Sequence, residues 1–149
     1  MKVSYDRFTE AFLSKITEYN FLALAEEDRQ ALVDGYMKRA ASKFSEVCKF
    51  NIADGNDEDR EYDFENATYD EVEEIVDIVT DGMLEQWLRQ HLYKQENLEN
   101  MLNTADFSHY SPAELTYRIT NAYKMCKKDY ISRIREYSYR YGDLTDLHL

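Results

Sequence analysis

Thirty acidic and eighteen basic side chains in 149 residues give a formal charge of -12, which excludes a general attraction to nucleic acid or to anionic membranes. A chain of this length forms one domain and buries roughly 68–70% of the surface that its unfolded form exposes, enough for a real core. One Pro, four Gly, abundant Glu, Lys, Leu, Ala and Arg and no sustained period-two alternation make the fold class all-α: a helical bundle of about four main helices with a long C-terminal helix and an acidic loop.

In chain order, the N-terminal residues Met1 to Asp6 lack the apolar run of a signal peptide. No stretch approaches the about 18 apolar residues of a membrane span. Ser4 is placed to cap a first helix whose Phe8, Phe12, Leu13, Ile16 and Tyr19 share one face, ending near Asn20. After an apolar link at Phe21, Leu22 and Leu24, a second helix of about 22 residues starts near Glu27 and turns Leu32, Tyr36, Met37, Ala40, Phe44, Val47 and Cys48 inward.

Residues 51–67 break the pattern. Gly55 beside Asn56, the acids Asp54, Asp57, Glu58, Asp59, Glu61, Asp63 and Glu65, and no helical stripe read as a solvated acidic loop. Arg60 is the only base between residues 54 and 81. Thr68 and Glu71 then match a capping box, opening a third helix with Val72, Ile75, Val76, Val79, Met83, Trp87 and Leu88 inward. A separate short helix follows around residues 95–102. Ser111, Pro112 and Glu114 give a second capping box with Pro at the first helical position.

The final helix runs to Tyr141, about 30 residues or roughly 45 Å, before Gly142 at the left-handed stop. Leu115, Ile119, Ala122, Met125 or Cys126, Ile131 and Ile134 form its stripe, with Tyr130, Tyr137, Tyr139 and Tyr141 taking over toward the end. That length exceeds what a small bundle needs, so part of the helix is expected to project or to pack on another subunit. Arg118, Lys124, Lys127, Lys128, Arg133, Arg135 and Arg140 make it the basic element of the chain. Complementarity to an acidic surface of a neighbouring subunit is as good a reading of those bases as a nucleic-acid stripe.

Chemistry is sparse. Asp54, Asn56, Glu58 and Glu65 fall at calcium-loop positions one, three, five and twelve, but Asp59 stands where the turn needs Gly and Glu61 where an apolar residue belongs. His91, His109 and His148 lie apart, with no metal-ligand spacing. Cys48 and Cys126 sit on apolar stripes as small buried hydrophobes rather than as a disulfide or a nucleophile, which fits a reducing cytoplasm. Trp87 reads as core. No catalytic, metal or cofactor site is expected.

One block carries a resemblance: Leu102-Asn103-Thr104, Asp106-Phe107, Tyr110-Ser111-Pro112-Ala113 and Leu115, then Tyr137, Tyr139-Arg140 and Gly142-Asp143-Leu144. Over these residues the chain is similar to the small helical head-tail adaptor (connector, or head-completion) proteins of tailed bacteriophages. Over the first two thirds the likeness is looser, resting on helix order, residues 36–44, the acidic loop and Trp87-Leu88.

The resemblance implies a structural protein of the virion neck, made in the host cytoplasm. Such proteins form a ring, commonly of twelve copies, beneath the portal protein. The ring extends the DNA channel, lets duplex DNA pass without sequence-specific binding, and receives the stopper or tail-completion protein. On this reading Tyr137, Tyr139, Arg140, Tyr141, Leu144 and Leu147 dock the end of the chain, including the 143–149 tail, onto the portal. The acidic loop faces the channel or the next ring and orders on assembly. The competing expectation is an acidic cytoplasmic binding protein, a DNA mimic or inhibitor whose carboxylates occupy a basic cleft.

Overall fold

A computed structural model describes residues 1–16, 29–101 and 112–141. The elements run β1 (Lys2–Ser4), α1 (Tyr5–Ile16), α2 (Arg29–Phe44), β2 (Glu61–Asp63), α3 (Tyr69–Met101) and α4 (Pro112–Tyr141). The protein is all-α, and among the described residues one small two-stranded sheet is attached to the helices. The inferred ends of the first helix and start of the second fall outside the described residues. So do Ser111, the 102–110 part of the resemblance block, Gly142 and the tail.

Local signals act where the residue types place them. The Ser4 hydroxyl accepts the Asp6 amide at 3.2 Å at the start of α1, and Phe8 and Phe12 are fully buried below it. Thr68 and Glu71 form the reciprocal capping box, amide to carboxylate at 3.1 Å and amide to hydroxyl at 3.2 Å. Behind this cap the entire inward set from Val72 to Leu88 is buried, Trp87 included.

Two boundaries differ from the sequence reading. α2 ends at Phe44 rather than near Cys48, because the chain turns there: the Val47 and Cys48 amides both bond the Phe44 carbonyl at 3.1 Å. The next residue, Lys49, donates its amide to the Tyr137 hydroxyl at 3.0 Å. α3, in turn, is one helix of 33 residues, so no separate short helix exists around 95–102. The apolar stripe thins after Leu88, but residues 89–94 contain neither Gly nor Pro, and backbone hydrogen bonding carries the helix across the gap.

Antiparallel packing of α4 on α3 follows from the pairing of Arg140 with Glu74 and of Arg133 with Asp81. α4 has the expected 30 residues, yet its length is not surplus. The 33-residue α3 matches it, and Ile119, Cys126, Tyr130, Ile134 and Tyr137 are buried along most of its length. Cys126 rather than Met125 faces inward. Where α2, α3 and α4 cross, Gly82 admits its neighbours. A Cβ there would lie 2.7 Å from both the Ala40 Cβ and the Tyr130 ring. The mid-helix glycine costs about 1 kcal/mol of helix propensity and permits the Tyr130 hydroxyl to donate to the Ala40 carbonyl at 2.8 Å.

The acidic segment is not a purely solvated loop. β2 pairs antiparallel with β1 in the register Lys2 with Asp63, Val3 with Tyr62 and Ser4 with Glu61. Ile52, Tyr62 and Phe64 are buried in the main core while the carboxylates between them point out. Tyr62 and Phe64 obey a period of two, too short a run to stand out among acids. The segment is thus tied to the helices by pairing with β1 and by three buried side chains.

Candidate partner-binding surfaces

The acidic hairpin is held to the body chiefly by Arg60. Its backbone adopts a left-handed conformation, φ 53°, uncommon for a residue with a Cβ. That turn aims the guanidinium back at α1 and α2. Nε and Nη2 donate to the two Asp34 oxygens at 3.1 and 2.9 Å, and Nη1 donates to Asp6 at 2.8 Å. These carboxylates raise the Arg60 pKa further above its ordinary range. The Arg60 carbonyl accepts the Tyr5 amide at 2.9 Å.

At the tip, Asp57 bonds Lys38 at 2.9 Å and the Tyr5 hydroxyl at 2.8 Å, and these two donors hold its carboxyl below the usual range. Burial together with that bond raises the Tyr5 hydroxyl, and burial pushes Tyr62 up to about 12. Gly55 allows the approach, since a Cβ there would stand 2.2 Å from the Tyr5 oxygen. Asn56 organises the turn by accepting the Glu58 and Asp59 amides, each at 3.1 Å. Asp54, Glu58, Asp59, Asp63 and Glu65 remain exposed, and Glu61 is half-buried beside Lys2 at 3.6 Å. No group of three or more metal-ligating side chains forms among the described residues.

The second surface is the end of the α3/α4 pair, where the start of α3 meets the finish of α4. Tyr139 is 67% exposed and Tyr141 39%. Tyr141 packs on Tyr137 with ring centroids 4.6 Å apart. The Lys49 ammonium and the Arg140 guanidinium lie 5.6 and 5.4 Å from the Tyr141 ring, close enough for cation–π attraction. Tyr69, 62% exposed with Arg7 5.5 Å from its ring, opens α3 at the same end.

Of the anchors named from the sequence, Arg140 and Tyr141 come together here, while Tyr139 is exposed on another side of the same helix end. Tyr137 does not join them at the surface. It is 2% exposed, set edge-on against Phe44 at 4.8 Å, and burial raises its hydroxyl pKa. Its ring therefore supports the surface from beneath rather than contacting a partner. Leu144 and Leu147 lie outside the described residues. Lys49 and Tyr69 were missed because they are far from Tyr141 in sequence; the antiparallel pairing of α3 with α4 brings Tyr69 to this end, and the turn after α2, held by the Lys49 amide on the Tyr137 hydroxyl, brings Lys49.

The cysteines are inert by environment. Burial pushes the Cys126 thiol up to about 12, and its sulfur donates to the Asp81 carbonyl at 3.3 Å. Cys48 is half-buried and its thiol pKa is raised by the same cause. No helix among the described residues is long and apolar enough to cross a membrane. No family model matches the chain, and comparison with curated proteins and with solved structures gives no match.

Proposed function

We propose that this chain is a structural subunit of a tailed-phage neck, assembling as a ring that joins the portal to the stopper or tail and lengthens the DNA channel. The observation that carries the reading is the tyrosine and cation surface at the end of the α3/α4 pair. Exposed Tyr69, Tyr139 and Tyr141, the first beside Arg7 and the last beside Lys49 and Arg140, have the composition of interface anchors. Their rings bury large areas at low entropic cost and their hydroxyls tolerate water. Two long helices packed side by side give that surface a rigid mount. A chain of charge -12 repeated around a pore offers duplex DNA little of the counterion-releasing contact that basic walls provide.

Deleting residues 139–149 tests this, because Tyr137 and the core beneath it remain. The shortened protein should melt cooperatively yet fail to join its portal in negative-stain images. Full co-assembly by the shortened chain would overturn the docking assignment.

The exposed hairpin carboxylates favour a second reading, an acidic mimic that occupies a basic nucleic-acid-binding cleft. Particle size separates the two. A mimic stays monomeric or dimeric and binds a basic partner with steep salt dependence, whereas a neck subunit enters a ring in the presence of the portal.

A further inference from the structure

We infer that the groove between α2 and α3 is the docking site for the acidic hairpin of a second copy of this chain, an inference that rests on the ring reading above. The groove has a volume of about 420 Å³ and is lined by Arg39 and Lys43 from α2, Gln86, Arg89 and Tyr93 from α3, and Tyr130 from α4, among others. Arg89 is already paired with Glu85 at 2.7 Å, so the surplus positive charge belongs to Arg39 and Lys43. Lys43 stands 5.5 Å from the Tyr130 ring, and Tyr93 is 59% exposed beside it. Arginine and tyrosine around a concave surface are the composition of a protein interface.

The charge of the groove narrows the occupant. Arg39 and Lys43 from α2 call for a segment that carries carboxylates without cationic partners of their own. The exposed hairpin of this chain, with Asp54 and Glu58 on it, is such a segment.

The arrangement also explains why the hairpin reaches a neighbour's groove rather than its own. Asp34 and Lys38, one turn apart on α2, hold the hairpin of the same chain through Arg60 and Asp57. Arg39 and Lys43 lie about 140° further round the helix, turned toward α3. Each subunit thus presents its hairpin on one flank of α2 and an empty cationic groove on another. A contact between unlike surfaces propagates head to tail and closes a ring when the rotation permits.

Charge reversal tests the pairing with the full-length protein. Arg39→Glu with Lys43→Glu makes the groove acidic; Asp54→Lys with Glu58→Lys reverses the charge at the two hairpin positions that meet it. Either variant alone should assemble, by itself or on the portal, at least about tenfold more weakly than wild type, because like charges then face each other. An equimolar mixture should restore assembly, since positions 54 and 58 of each variant then meet positions 39 and 43 of opposite sign on the other. Analytical ultracentrifugation and electron microscopy read the outcome, with thermal melts confirming that both variants fold. The milder pair Arg39→Gln and Lys43→Gln replaces the first variant if reversal disturbs the fold.

Variants that assemble like wild type, or folded variants whose mixture stays unassembled, overturn the inference and leave the ring reading standing. A wild-type chain that assembles neither alone nor with the portal overturns both. A groove variant that loses binding of inorganic phosphate or of a polyglutamate peptide while assembling normally assigns the groove to another ligand and likewise overturns it.

Discussion

The acids of residues 54–81 look alike in sequence, yet the hairpin and the α3/α4 pair use them in opposite ways. In α3 they are largely consumed inside the chain: Glu74 by Arg140, Asp81 by Arg133 and by Lys15 at 2.6 Å, and Glu73 by Arg7. The bases of the final helix that face α3 are therefore answered by its own partner helix rather than by a neighbouring subunit. In the hairpin only Asp57, Asp63 and Glu61 have cationic partners among the described residues, and Asp54, Glu58, Asp59 and Glu65 keep their charge at the surface.

The mode of support differs as well. α3 and α4 satisfy their backbones internally and bury a continuous stripe. The strands are only three residues each, too short to stand alone. They depend on aromatic plugs and on polar staples such as the N-terminal ammonium donating to the Phe64 carbonyl at 2.7 Å. Local charge density thus says little about exposed charge until the partner across the fold is known.

The largest expected effect abolishes the contrast. Trp87 meets the Phe12 ring edge-on at 6.2 Å and His91 at 4.8 Å, joining α1 to α3. Trp87→Ala should cost about 3–5 kcal/mol, measured by chemical denaturation, with both regions unfolding in one transition. A loss below about 1 kcal/mol would mean that the core relaxes around the site and that Trp87 is not the common support.

A smaller change should separate the regions. Arg60→Ala removes the guanidinium from Asp34 and Asp6 and should cost about 1.5–3 kcal/mol, the range of hydrogen bonds to charged groups. Amide exchange should accelerate in residues 54–64 and remain slow in the middle of α3 and α4. Uniform acceleration would show that the hairpin and the helices form one cooperative unit.

The smallest effect is acid loosening of the tip. The Asp57 carboxyl titrates below its ordinary 3.8 in the folded chain, so the unfolded chain binds its proton more readily. The contribution is complete above the ordinary value and is lost as pH falls through the folded one. Between about pH 5 and about pH 3, amide exchange at the tip should quicken, and Lys38→Met should diminish that response. An unchanged response in Lys38→Met would remove Lys38 as its cause. Glu71, lowered by the Thr68 amide and then by Lys49, weakens the α3 cap in the same direction.

Much of the helical frame was legible because helices announce themselves locally. The Thr68 box and the buried set from Val72 to Leu88 follow from residue types at spacings of three and four. The continuity of α3 past Leu88 was not, since a helix can cross a stretch with no buried face. Neither was the β1/β2 pair, whose strands lie about 60 residues apart in the chain and offer one or two inward side chains each.

Of the docking surface, Tyr139, Arg140 and Tyr141 could be named from their crowding at the helix end, and the signal that sets Tyr137 apart from them was its spacing from Ile134. Helical rotation decides it: Tyr137 lies a turn from Ile134 on the buried stripe, while Tyr139 falls on the opposite side.

By itself the sequence determined the all-α class, the caps, the inward stripes and the excess of negative charge, because propensity, periodicity and composition act within a few residues of one another. Only the tertiary structure decided which carboxylates are neutralised and which stay exposed, that Arg60 fastens the hairpin, and that Tyr69 and Lys49 join Tyr141 at one end. Those outcomes depend on pairs such as Glu74 with Arg140 and Asp34 with Arg60, whose members are distant in the chain and meet only when the helices pack.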